Sequence, residues 1–233
     1  MQLTYHGHSC VQIASGGQSL IIDPFLRGNE LAVTAPEDIR TNAVLLTHAH
    51  ADHITDADLI AKANDAPVVA TFELAAYMSW QGVRTIDMNM GGTVDLGFAK
   101  AKMIQAFHSS GIIVDDEKRI VYGGMPGGYI VTAGGFTVLH AGDTCLFSDM
   151  KLIGERHAPI DVAFIPIGDR YTMGPDDALQ AAEWYGARLT IPVHYDTFGV
   201  IRQDAEAFVR QLAERGMQGR VLRPGESLTI GAE

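Results

Sequence analysis

The chain has 233 residues, a length that suits one α/β domain, and its 47% hydrophobic content can fill a large core without a disulfide framework or a structural metal. The 19% of charged residues are spread along the chain rather than gathered in blocks, which argues against disorder. A formal net charge of −11 argues against a nucleic-acid partner, no apolar run is long enough to span a bilayer, and Met1–His6 lack the basic and then apolar pattern of a secretory leader, so the expected location is the cytoplasm.

Taken in order, Gln2–His6, Cys10–Ala14 and Ser19–Asp23 read as short strands, with Gly16-Gly17 as the hairpin turn between the last two. Pro24 ends the third, and a loop carrying Gly28-Asn29 runs to Arg40. Ala43–Thr47 is an apolar run typical of a buried strand, and a polar loop, His48–His53, follows it. Thr55 reads as an N-cap with Asp56 and Asp58 in the first helical turn. Val68–Ala70 is a strand and Glu73–Trp80 a short helix ending near Gly82. From Thr93 to His140 strand signals dominate: Ala99–Phe107, Arg119–Tyr122, Gly128–Thr132 and Phe136–His140, punctuated by glycine pairs. Ala163–Ile167 and Leu189–Val193 are further buried strands, separated by a helix over Pro175–Trp184 with its proline at the first helical position. Gln203–Arg215 is another helix, and Arg220–Leu222 with Ser227–Ile230 closes a sheet. No linker, repeat or composition shift divides residues 1–233, which read as a single domain with helices covering a pair of packed sheets. Cys10 and Cys145 lie outside any CxxC pattern and read as small buried hydrophobes; Trp80, Trp184 and Tyr185 read as core.

The chemistry gathers in Thr47-His48-Ala49-His50-Ala51-Asp52-His53, an HxHxDH pattern. Four potential metal ligands in six residues after an apolar strand have no good packing explanation, and neutral imidazoles with a carboxylate suit zinc or a similar first-row divalent ion. On a loop, alternate residues can fan toward two adjacent ions. Such a segment supplies half of a two-ion site, so further ligands are expected downstream. His108, Asp143 and His194 each end an apolar run and are the candidates.

This ordered set resembles the metallo-β-lactamase fold superfamily, and within it an uncharacterised family of metal-dependent hydrolases related to L-ascorbate-6-phosphate lactonase. The likeness extends along nearly the whole chain, through Thr4-Tyr5-His6-Gly7-His8-Ser9, Asp23-Pro24-Phe25-Leu26, Ala141-Gly142-Asp143-Thr144, Pro166-Ile167-Gly168-Asp169 and Pro192-Val193-His194-Tyr195. It implies a four-layer αββα sandwich of two mixed β-sheets flanked by helices, with metals at one edge of the sheets. It also implies one ion on His48, His50 and His108, a second on Asp52, His53 and His194, and Asp143 between them. No cysteine stands at the Asp143 position, so the metal choice stays open among zinc, which is expected first, manganese, nickel and iron.

Two such ions would share a water and lower its pKa, so the expected function is hydrolysis by a metal-bridged hydroxide of an ester, lactone or phosphodiester in a small molecule, anionic substrates included. Asp52 is expected both to ligate and to orient the nucleophile. His6, His8, Ser109, Asp169 and Tyr195 are candidates for supporting the ligands or touching substrate, each equally readable as an ordinary packing or loop residue; His140 reads as a buried, hydrogen-bonded histidine and His157 as solvent-facing. The competing readings are a nuclease of the same fold and a non-catalytic metal-binding sensor. A homo-oligomer is a common arrangement for such an enzyme.

Overall fold

Two mixed β-sheets face each other in the computed structural model, which describes residues 1–231. The first contains β1 (Gln2–Gly7), β2 (Cys10–Ser15), β3 (Gln18–Ile22), β4 (Ala43–Leu45), β5 (Val68–Thr71), β6 (Thr85–Met88) and β15 (Ser227–Thr229), in the order β15-β1-β2-β3-β4-β5-β6. The second contains β7 (Thr93–Asp95), β8 (Ala99–Gln105), β11 (Gly127–Ala133), β12 (Phe136–His140), β13 (Val162–Pro166) and β14 (Leu189–Val193), in the order β14-β13-β12-β11-β8-β7. A separate hairpin, β9 (Gly111–Val114) and β10 (Arg119–Tyr122), pairs only with itself.

Alternation along the strands builds the layers. In β3, Leu20 and Ile22 point between the sheets and pack with Tyr129, Val131, Phe164 and Ile191, while Ile21 points to the other face. That outer face packs under α2 (Ala57–Asn64) and α3 (Phe72–Trp80) through Ile60, Leu74 and Met78. The outer face of the second sheet, Ile130, Leu139 and Ile165, is covered by α4 (Asp149–His157), α5 (Pro175–Tyr185) and α6 (Ala205–Glu214) through Met150, Leu179 and Phe208. The expected αββα sandwich is therefore the fold. Among the described residues, no helix is long and apolar enough to cross a membrane.

Several local expectations need correction. The HxHxDH segment is not one loop: a single helical turn, α1 (Ala51–Ile54), carries Asp52 and His53, so a change from extended to helical backbone spreads the ligand types. Thr55 does not open α2; its hydroxyl donates to the Ala51 carbonyl and closes α1. Arg220–Leu222 forms no strand, because after one bridge between Gly219 and Thr190 the chain leaves for the first sheet, where Gly225 donates to the Tyr5 carbonyl. Trp80 is 73% exposed. It stands two residues, or about 200° of helix, beyond the buried Met78, on the opposite face of α3. Cys10 is buried as expected but Cys145 is exposed. Trp184 and Tyr185 do pack into the core beneath the second sheet.

Candidate metal centre

Strand direction alone brings the candidate residues to one edge. β1, β3 and β4 run the same way in the first sheet, as do β8, β12 and β14 in the second. His8, Asp23 and His48 follow the ends of the first three, and His108, Asp143 and His194 follow the ends of the second three. Backbone bonds stitch the two rims together: His194 N–H donates to the His8 carbonyl at 2.8 Å and Gly127 N–H to the Thr47 carbonyl at 2.9 Å. His8, Asp23 and His194 all sit in the left-handed region, with φ of 55°, 48° and 55°, a backbone cost that clusters at functional sites.

All seven candidates from the sequence meet there. His48, His50 and His108 form one group of potential ligand atoms, and His8, Asp52, His53 and His194 form another, with the atoms of each group within 4.8 Å of one another. Asp143 lies between them: its Oδ2 is 3.9 Å from His48 Nε2, 3.6 Å from His108 Nε2, 3.4 Å from His53 Nε2 and 2.9 Å from His194 Nε2. His8 stands in the second group, where the sequence reading has only Asp52, His53 and His194, and a third group of Asp23, His48 and His53 overlaps both. His8 Nε2–H donates to Asp52 Oδ2 at 3.1 Å, and its Nδ1 lies 3.0 Å from the Thr197 hydroxyl.

Hydrogen bonds behind the cluster set which ring nitrogens face inward. Thr47 Oγ1 donates to Asp23 Oδ2 at 2.6 Å and therefore accepts from His48 Nδ1 at 3.0 Å, which leaves His48 Nε2 as a lone pair. His53 Nδ1–H donates to the same Asp23 oxygen at 2.9 Å, turning its Nε2 toward Asp143. A carboxylate behind a histidine is the usual support of a ligating imidazole. Asp23 is fully buried and also accepts from the Thr47 N–H at 2.8 Å; the sequence offered it only as the end of a strand.

Electrostatics give the centre a net appetite for cations. Burial pushes the pKa of His48, His50 and His108 down, so these imidazoles stay neutral. Burial also pushes His8 down, to about 4, with neighbouring His194 adding to the effect. Burial opposes ionisation of Asp143, but His194 and His53 hold its carboxyl well below the usual range. Asp52 behaves alike, with His8 and His53 outweighing burial. His53 runs the other way: burial disfavours its charge, yet Asp143 and Asp23 raise its pKa well above the ordinary value.

The residues fit metal ions. His53 Nε2 and Asp143 Oδ1 are buried without a hydrogen-bond partner, and His48 Nε2 and His50 Nδ1 face each other at 3.0 Å. Nitrogens on a shared zinc, each about 2.0–2.1 Å from the ion, stand about 3.3 Å apart in a tetrahedral arrangement. His48, His50 and His108 could hold one ion, the second group could hold another, and Asp143 could touch both.

The remaining candidates divide. The Ser109 hydroxyl lies 3.3 Å from His50 Nε2, at the edge of the cluster. His6 faces Gln12 instead, at 3.2 Å, and stays outside. Tyr195 packs toward the core beneath the second sheet, and burial raises its hydroxyl pKa to about 12. Asp169 closes a tight exposed loop through backbone bonds to Met173 and Thr172, and its side chain bonds to none of the cluster. His157 is half-buried in α4. Asp56, read from the sequence only as a first-turn acid, is fully buried and accepts from the backbone N–H groups of Leu26 and Arg27 at 2.8 and 2.9 Å, which fixes the loop after Asp23.

Comparison with known proteins agrees with this architecture. A beta-lactamase superfamily domain matches residues 19–195. A UPF0173 metal-dependent hydrolase of Geobacillus thermodenitrificans (strain NG80-2) is 55% identical over 230 residues, covering 99% of this chain and 100% of that protein. The structure of Igni18, a metallo hydrolase from the archaeon Ignicoccus hospitalis KIN4/I, superposes with a TM-score of 0.89 at 35% identity, over 100% of this chain and 99% of that one. An isothiocyanate hydrolase from Delia radicum gut bacteria shares the fold, with a TM-score of 0.76 at 19% identity and full coverage of both chains. The chain belongs to the beta-lactamase superfamily and, within it, to the UPF0173 metal-dependent hydrolases.

Proposed function

We propose that this protein is a two-metal hydrolase of small molecules, acting on an ester, lactone or phosphodiester. One observation carries the reading: a single carboxylate oxygen, Asp143 Oδ2, reaches the nitrogens of both ligand groups, at 3.6 Å from His108 and 2.9 Å from His194. A site for one structural ion would need neither the second group nor the bridge. The names of its relatives as metal-dependent hydrolases support the reading. His48, His50 and His108 would hold one ion, Asp52, His53 and His194 the other, with zinc as the first expectation for a set of imidazoles and carboxylates. Divalent ions in such a site supply Lewis acidity toward a carbonyl or phosphoryl oxygen and acidify water.

The chain's own residues do the positioning. Asp23 and Thr47 hold His53 and His48 in the tautomers that face inward. Asp52, with 28% of its side chain exposed, is held on one oxygen by His8, which fixes the carboxylate that would both ligate the second ion and orient a water beside it. A net charge of −11 favours a small substrate over a polyanion.

The test is hydrolysis of generic aryl esters, lactones and phosphodiesters by protein purified without chelators. Activity should vanish on metal removal, return on readdition, and be absent in His50→Ala and Asp143→Ala. Full activity in the stripped protein, or in either variant, would overturn the assignment.

A further inference from the structure

A cavity of about 590 Å³ opens beside the cluster, with His50 and Asp52 forming one wall. Its size is that of a small-ligand site. The facing walls are apolar: Ile54 at the end of α1, Tyr77 on α3, and Ile112 and Ile113 on β9. Asp52 and Asp115 are its acidic groups, and among the described residues that line it there is no lysine or arginine. The β9 wall is pinned to the HxHxDH segment at its base, where Ser110 Oγ accepts from the Ala49 N–H at 3.1 Å and donates to the Gly123 carbonyl at 3.2 Å.

From this we infer that the substrate places an uncharged alkyl or aryl group in this cavity, whatever charge its reacting centre carries; the inference rests on the hydrolase reading above. An anionic tail there would lose its hydration against isoleucine and tyrosine, meet Asp115, and find no cation to pair with. A neutral apolar tail gains by leaving water. The reacting centre would lie at the other end of the molecule, beside His50 and Asp52, where ions held by the cluster would supply Lewis acidity. The sequence admitted anionic substrates in general; the cavity restricts that charge to the end being cleaved.

The metal-loaded protein can be offered two 4-nitrophenyl esters of equal chain length, the hexanoate and the adipate monoester, which differ in a terminal methyl or carboxylate. The hexanoate should show a kcat/KM at least about tenfold higher, and Ile113→Lys, which adds a cation to an exposed wall position, should erase that preference. A second readout does not depend on turnover. Isoleucine methyl NMR of the same protein should show saturable shifts at Ile54, Ile112 and Ile113 with hexan-1-ol and not with 6-hydroxyhexanoate at the same concentration. Equal or better use of the adipate ester, or methyls unmoved by hexan-1-ol, would overturn the inference. Methyl shifts without hydrolysis of either ester would support the apolar subsite and count against the hydrolase reading instead.

Discussion

The imidazole of His140 donates from Nε2 to the Ser9 carbonyl at 2.9 Å, across 131 positions of sequence, while its Nδ1 accepts from the Gly142 N–H at 3.2 Å. One buried ring thus braces the turn that carries His8 and the turn that carries Asp143. Replacing His140 by alanine strands buried polar groups on both turns and leaves a cavity, so it should destabilise the protein by about 2–4 kcal/mol. Urea denaturation of the metal-free protein measures this; a loss within the scatter of surface mutants would mean that the brace is unimportant.

Asp23→Asn should leave the fold intact and weaken metal binding by about 10–100-fold, the usual cost of removing a carboxylate behind a ligating histidine. The amide cannot accept from Thr47 and His53 with the strength of a carboxylate, so His53 loses its fixed tautomer. Titration of stripped protein with zinc checks it, and unchanged affinity would remove Asp23 from the account.

Gly123 marks where the hairpin presses on the metal-binding segment: a Cβ there would stand 2.2 Å from that of Ala49. Gly123→Ala must push apart β10 and the loop between His48 and His50, at a cost of about 1–3 kcal/mol. Thermal melts together with metal content should both fall. A variant as stable and as fully loaded as the parent would show that this contact yields freely.

Much of the centre was legible in the sequence because its residues are rare types at strand ends. HxHxDH announced itself, and His108, Asp143 and His194 each stood after an apolar run. Asp23 and His8 were harder, because a carboxylate after a strand and a histidine in a turn are ordinary until tertiary contacts place them. The α4 helix was missed for a different reason: its sequence, Asp149–His157, is mostly polar, and only Met150 and Gly154 are buried. Gly154 lets the backbone of α5 approach, since a Cβ there would meet the Trp184 carbonyl at 2.3 Å, and no periodicity reports such a contact. The exposure of Trp80 follows from its angular position on α3, which residue type alone does not reveal.

Acid should weaken the metal-free protein. Burial holds His6, His8, His48, His50, His108, His140 and His157 below the ordinary imidazole pKa, His8 at about 4. The unfolded chain binds protons at these groups near about pH 6.5, whereas the native state refuses them. The stability they contribute is therefore present above that pH and lost as the pH falls through it. His53 is the opposing group, because Asp143 and Asp23 outweigh its burial and raise its pKa; its contribution is present in acid and fades as the pH rises. With seven imidazoles against one, the urea midpoint should be lower at pH 5 than at pH 7, and an equal or higher midpoint at pH 5 would contradict the assignment.

Thiol chemistry should separate the two cysteines. Cys145 is exposed, whereas Cys10 is fully buried and its thiol pKa is pushed up by that burial. Iodoacetamide should label one thiol in the native protein, at Cys145 by peptide mass spectrometry, and both after denaturation. Rapid native labelling of Cys10 would mean that the first sheet opens readily.

The central claim is that Asp143 joins two ions, and metal stoichiometry tests it most directly. Protein purified without chelators, or stripped and reloaded with zinc, should contain close to two ions per chain by elemental analysis, and Asp143→Ala should lose both or retain one at weakened affinity. A parent protein that saturates at one ion, or an Asp143→Ala variant that still binds two as tightly, would contradict the account.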